Sequence, residues 1–424
     1  MKQPQRIPAL LGLLLLPAAA LAEPKVVLPP GKDGTIDNLV RVVVPSARSA
    51  AVSDAHGLLA FTHHPRPGGP QVSLCRLDRD GKPEEKPATL ALPSPNGLGA
   101  LPTVALSLAF HPKLPLLYVW QDVVLSKDKG NNIIPLTAAE EAAANQLDHL
   151  FIYRLDKGEA KLLVGLCRGE KFGRGAPAGD VGIDPDHGRL YIPNIRPNAK
   201  QRILVVGSFV LDRQGLPLPG KEGSDDDTSL EARVKAINDL KNDGKPILPQ
   251  RVAPLTGEAF PDLPSGCGFG YVPIAKDVVL FGGYHDVALI TWAPDDRRTK
   301  LTVYQGDGGY RCYYPVMHPS LPVVYSAFMN APWLFRFDMA DGFPAMVPTH
   351  IELRGAEFFS PPLIVRKTGE LVFGGRDRVF AIKLDDKGRL TDERRQMVVG
   401  SQRVEAVAYS EKYDRLYVGV EKLK

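Results

Sequence analysis

The chain has 424 residues, a formal net charge of +4, 44% hydrophobic and 24% charged residues. This is ordinary globular composition, and so small a charge implies neither a nucleic acid nor an anionic membrane as partner. A chain this long would usually form two or more domains, the standard exception being a repeat fold in which each unit stacks on the last.

Residues 1–22 read as a secretory signal. Lys2 and Arg6 give a basic start, Leu10–Leu16 an apolar run, and Ala20-Leu21-Ala22 a small-x-small cleavage site. The run falls short of the roughly 20 residues that span a bilayer. No cysteine lies near the cut, so a lipid anchor is not signalled. The expectation is a periplasmic or secreted protein without a membrane span.

One unit then recurs along residues 23–424, predicting a single domain. An apolar strand is followed by a turn, often His-Pro or Asp-Pro, and by a second strand ending near Leu-Tyr-Val. Clear copies run from Leu108-Ala109-Phe110-His111-Pro112 to Leu117-Tyr118-Val119, from Val181-Gly182-Ile183-Asp184-Pro185 to Leu190-Tyr191-Ile192, and from Val316-Met317-His318-Pro319 to Val324-Tyr325. Weaker copies end at Leu59-Ala60-Phe61, Val279-Leu280-Phe281, Leu371-Val372-Phe373 and Leu416-Tyr417-Val418. Positions 280, 325, 372 and 417 are spaced by 45, 47 and 45 residues, a period within the range of four-stranded propeller blades.

The earlier spacings are longer because they carry insertions. Within 121–147, Thr137-Ala138-Ala139-Glu140 is a capping box opening a short Ala-rich helix. Within 219–247, Thr228-Ser229-Leu230-Glu231 reads as another, with Leu230, Val234 and Ile237 at helical spacing and Asn242-Asp243-Gly244 as the stop. A third strand follows each pair as an alternating run ending in Leu-Asp and a glycine turn, as at Val72–Asp78 before Gly81, Phe151–Asp156 before Gly158 and Val379–Asp385 before Gly388. Fourth strands follow at Ala88–Leu92 and Arg395–Val399.

The seventh unit has only two strands before the chain stops. Open sheet edges are a liability. The unassigned runs Lys25–Leu28 and Leu39–Val44 are therefore predicted to complete this last blade. The fold expected is all-β: a seven-bladed propeller of four-stranded antiparallel blades, closed by strands from both ends and decorated by two short helices.

In these elements the repeat resembles that of the YVTN and lactonase-type seven-bladed propellers. The Val-Thr-Asn part of the signature is missing; Tyr191-Ile192-Pro193-Asn194 comes nearest. No Trp-Asp pair closes any blade, so WD-repeat proteins match less well. The resemblance implies the fold, while members of that group range from sugar lactonases to surface-layer proteins and scaffolds.

Familiar catalytic signatures are missing: no His-Glu-x-x-His, Gly-x-Ser-x-Gly or phosphate-binding Gly-x-x-x-x-Gly-Lys-Ser/Thr. Gly266-Cys267-Gly268-Phe269-Gly270 leads into Tyr271-Val272-Pro273, which cannot open a helix. The His-Pro and Asp-Pro turns, with His111, Asp184, His187 and His318, belong to one face and read as turn-makers. The loops from second to third strands open on the other face and differ from one another. There Thr62-His63-His64, Tyr284-His285-Asp286 and Arg376-Asp377-Arg378 bring imidazoles, carboxylates and guanidiniums, joined by Arg196, Asn330 and Trp333.

Two readings follow. The first is a binding module holding a small molecule, glycan or protein at this loop face, its surface enlarged by the helical insertions. The alternative is a lactonase-like hydrolase in which His63, His285 and Asp286 act as base or metal site while Arg376 holds an anionic substrate. Asp377 would lie beside it. No cofactor is evident, a divalent metal could serve the second reading, and a monomer is expected.

Four cysteines, Cys75, Cys167, Cys267 and Cys312, allow three pairings. Cys267 and Cys312 precede the first strands of adjacent units, so a disulfide could join them at the same mouth, with two unpaired or separately buried thiols as the alternative.

Overall fold

In a computed structural model, residues 25–63, 72–90, 104–123, 136–167, 181–197, 202–217, 229–243, 251–254, 270–282, 286–292, 298–305, 313–340, 342–345, 348–400 and 403–421 are described, together with 92 and 134. The proposed signal segment, His64, His285, Cys267 and Cys312 lie outside them. The chain is an all-β propeller of small antiparallel sheets. Among the described residues there are two helices, and the strands form seven sheets, six of four or more strands and one of three.

Each sheet is built outwards from its first strand, as in the order Ala47–Ser53, Leu58–His63, Val72–Arg76, Ala88–Leu90 of the first. Because sheets stack face to face, both sides of a second strand are buried and its sequence reads as one apolar run. Leu116–Trp120 shows this. Leu117 and Val119 pack with Leu74 and Leu108 against the first sheet, while Leu116, Tyr118 and Trp120 pack with Leu190 and Phe209 against the third. All five are at most 2% exposed.

The Leu-Tyr-Val and Leu-Asp-x-x-Gly elements prove to be two halves of one device. Tyr118 donates its hydroxyl hydrogen to the Gly215 carbonyl (2.6 Å), Tyr325 to Gly388 (2.5 Å) and Tyr417 to Gly81 (2.7 Å), each reaching the hairpin of the neighbouring sheet. Burial pushes all three phenol pKa values up, Tyr325 to about 12, so the hydroxyls stay protonated donors. Each hairpin is tied by its aspartate: Asp78 Oδ1 accepts from the Asp80 and Lys82 amides, with the same pattern at Asp212 and Asp385. Where the first sheet carries Ala60 instead of tyrosine, Arg76 Nε donates to the Gly158 carbonyl (3.1 Å). Tyr417 thus joins the three-stranded sheet at the end of the chain to the first sheet.

The His-Pro turns are made as expected. His111 Nδ1 accepts from the Lys113 and Leu114 amides (3.0 and 2.9 Å), and His318 Nδ1 from Ser320 and Leu321 (3.2 and 3.0 Å). Asp184 Oδ1 does the same for Asp186 and His187. These imidazoles must be neutral, and burial lowers both pKa values from 6.5. As pH falls the unfolded chain therefore takes up these protons first. The stability they contribute is fully present above about pH 6.5 and declines below it, towards the lowered folded values. A doubly substituted His111→Asp/His318→Asp chain, copying Asp184, is expected to lose less of its melting temperature than wild type between pH 7 and 5.5. Identical slopes would contradict this.

Of the two N-terminal runs expected on the last blade, one pairs there and the other does not. Leu39–Val43 does pair with Arg415–Val420 in the three-stranded sheet, in parallel. Lys25–Leu28 instead pairs in parallel with Thr349–Leu353 on the fifth sheet, and Lys32–Asp33 with Leu390–Val398 on the sixth. The N-terminal segment therefore runs as an outer lace over three successive sheets. A four-residue strand carries no signal for its partner, and each outer edge offers equivalent hydrogen-bonding groups.

Helix α1 (Ala138–Ala144) has the full Thr137/Glu140 capping box. Helix α2 (Leu230–Asn242) is capped one residue later than expected, by Ser229, whose Oγ accepts from the Ala232 amide.

Candidate functional site

The second strand of the first sheet ends at His63, and the third begins at Val72. In this antiparallel pair Phe61 lies opposite Ser73, so Phe61, His63 and Ser73 share one face of the pleat. Phe61 packs with Ala408 and Tyr417 of the three-stranded sheet, which places His63 and Ser73 at the loop end of that seam. Both side chains are half-buried.

His63 Nδ1 lies 3.0 Å from the Pro45 carbonyl oxygen and Nε2 lies 2.7 Å from Ser73 Oγ. A carbonyl can only accept, so in the neutral ring the proton sits on Nδ1 and Nε2 is left as an acceptor. Ser73 then donates its hydroxyl hydrogen to Nε2. One imidazole thus links a hydroxyl to a backbone carbonyl, the kinds of group from which an activated nucleophile can be built. Pro45 is positioned by the turn into the first strand, where Ala47 N donates to Val44 O and Ser46 adopts φ 58°.

The other expected residues fall differently. Arg376 is exposed in the loop of the sixth sheet, but its Nη2 is 3.2 Å from Glu357 Oε2. Asp377 is bound through both oxygens by its neighbour Arg378 (2.7 and 3.2 Å). These charges neutralise one another locally. Trp333 opens the third strand of the fifth sheet and packs on Phe328 and His350, with ring centroids 5.4 and 5.6 Å away. It is half-buried, packed against this cluster. Asn330 is exposed at φ 58°, its amide donating to Phe358 O (2.8 Å).

Arg196 belongs to the strand Arg189–Pro197, paired with Ile203, and Asp286 opens Asp286–Trp292, paired with Gln305. Both were expected in loops. Among the described residues no group of three or more His, Cys, Asp or Glu could hold a metal ion. Of the cysteines, Cys75 and Cys167 are buried, and burial pushes the Cys75 thiol to about 12.

Ser73 was not anticipated. Its only signal was a hydroxyl at an inward-facing position of the Val72–Arg76 run.

No protein-family model matches the chain, and no curated protein sequence matches it. Solved structures do. A candidate 6-phosphogluconolactonase from Bacteroides uniformis superposes with a TM-score of 0.51 at 11% identity, over 86% of this chain and 89% of that one. The periplasmic gluconolactonase of Pseudomonas aeruginosa gives 0.51 at 10% identity, over 89% of each. At such identities the likeness is one of fold alone, and this chain shares the β-propeller fold of these two proteins.

Proposed function

We propose that this chain hydrolyses a lactone or related carboxylic ester at the loop face beside its first sheet, with His63 as general base and Ser73 as the hydroxyl it activates. The observation that carries the reading is the Ser73 Oγ–His63 Nε2–Pro45 O alignment at 2.7 and 3.0 Å. Lactonase-named propellers of the same fold add support. In the reaction Ser73 Oγ adds to the ester carbonyl as its proton passes to His63 Nε2. The Pro45 carbonyl accepts the Nδ1 hydrogen throughout and so stabilises the imidazolium. The leaving alkoxide takes the proton back, and water then repeats the sequence on the acyl-serine.

The binding-module reading has less behind it. Helix α2, expected to enlarge a contact surface, is folded onto the second and third sheets: Ile237 is buried among them and Lys241 Nζ meets Asp148 at 2.6 Å.

The three-stranded sheet is, in this proposal, the seventh blade closing one domain. Its support is the Tyr417–Gly81 bond on one side and the packing of Leu416 and Val418 with Val372 and Ala381 on the other. Periplasmic or secreted placement follows from the basic and apolar N-terminus. No helix among the described residues is long and apolar enough to cross a membrane.

The test is a panel of five- and six-membered lactones and aryl esters, with and without chelator. Turnover that survives chelator and falls at least about 100-fold in His63→Gln is expected. No turnover on any substrate, or full activity in His63→Gln, would overturn the reading.

A further inference from the structure

Arg394 and Arg395 stand side by side on the outer strand of the sixth sheet, and among the described residues only Arg395 meets a side-chain hydrogen-bond acceptor. Arg395 gives Nη2 to buried Glu370 (2.6 Å) and Nη1 to the Thr35 carbonyl (3.1 Å). Arg394 lies on the opposite face of the strand, beside its register partner Ile382, which packs with Leu28, Tyr325 and Leu353 between the fifth and sixth sheets. The N-terminal lace crosses here from one sheet to the other, and a Cβ placed on Gly31 would come within 3.5 Å of Arg394 Cβ.

Beneath this strap Arg394 is 7% exposed, and its Nε and Nη2 are shut off from solvent with no acceptor among the described residues. A guanidinium does not give up its charge. Enclosing one unpaired is among the costliest arrangements a fold can hold. Burial pushes its pKa down, opposed by Asp392. Nε and Nη2 together are the side of the fork that receives two oxygens of one carboxylate or phosphate.

We propose that Arg394 is the anchor of a second binding site, separate from Ser73–His63, which takes a small oxyanion of carboxylate or phosphate type between the fifth and sixth sheets, where Gly31 of the lace approaches Arg394. The lace would then be held partly by the ligand it covers.

The test uses the full chain in low-salt zwitterionic buffer, titrated separately with inorganic phosphate, sulfate and acetate by calorimetry and thermal unfolding. Expected are saturable 1:1 heat with at least one of the three anions, a melting temperature rising with the logarithm of its concentration, and loss of both in Arg394→Met. The arm that responds distinguishes phosphate-type from carboxylate ligands. Arg394→Lys keeps the charge without the fork and should bind at least about tenfold more weakly; it carries the test if the methionine variant does not fold. No heat and no shift with any anion, or an equal shift in the variants, would overturn the proposal. Activity on lactones does not enter these readouts, so this site and the hydrolase reading stand or fall separately.

Discussion

Ser73→Ala is expected to lower kcat on a turned-over lactone at least about 1,000-fold while leaving KM within about threefold, because the hydroxyl acts in the bond-making step and not in holding the substrate. The fold should survive, since Ser73 is half-buried and its neighbour Val72 carries the packing at that point. Removing the serine also leaves His63 Nε2 without its 2.7 Å partner, while Pro45 still fixes the ring through Nδ1. Ser73→Ala and His63→Gln should therefore be strongly non-additive: the double variant is expected to be about as inactive as Ser73→Ala alone. Additive losses would show that the two side chains work independently. A Ser73→Ala protein with normal kcat would remove serine from the chemistry altogether.

The second large effect concerns the seam between the first and last sheets. Gly81 sits at φ +75° in the Asp78–Gly81 hairpin, a conformation that residues with a Cβ adopt at a cost. An added Cβ would also lie 2.5 Å from Tyr413 Cβ and 2.6 Å from its Cγ. These are near-backbone atoms, so a rotamer change cannot relieve the contact. Gly81→Ala is accordingly expected to destabilise by about 3 kcal/mol or more, through strain and overpacking together. Tyr417→Phe only strands the Gly81 carbonyl and should cost about 1–2 kcal/mol. Gly342→Ala provides the control, having positive φ but nothing within 4 Å of the new Cβ. If Gly81→Ala melted like Gly342→Ala, the seam between first and last sheets would contribute little, and the account of the three-stranded sheet as a closing blade would fail.

What could be seen in the sequence, and what could not, follows the range of the interactions. Runs such as Leu116–Trp120 were legible because two buried faces leave no polar alternation. The His-Pro turns were legible because the imidazole bonds amides only two and three residues on. The pairing of Tyr417 with Gly81 spans 336 positions, so its two halves were visible separately without their connection. Arg376 and Asp377 looked like ligand groups because their partners lie elsewhere or serve both roles: Glu357 is 19 residues earlier, and Arg378 reads equally as a third loop charge. His63 was visible as a loop histidine, whereas Ser73 and the Pro45 carbonyl acquire meaning only when three strand ends converge.

The most direct measurement is intact-mass analysis after brief reaction with an aryl ester or a fluorophosphonate, followed by peptide mapping. One covalent adduct is expected on the peptide carrying Ser73, absent from Ser73→Ala and much slower to form in His63→Gln. Rapid lactone turnover with no adduct, or an adduct at another residue, would contradict it.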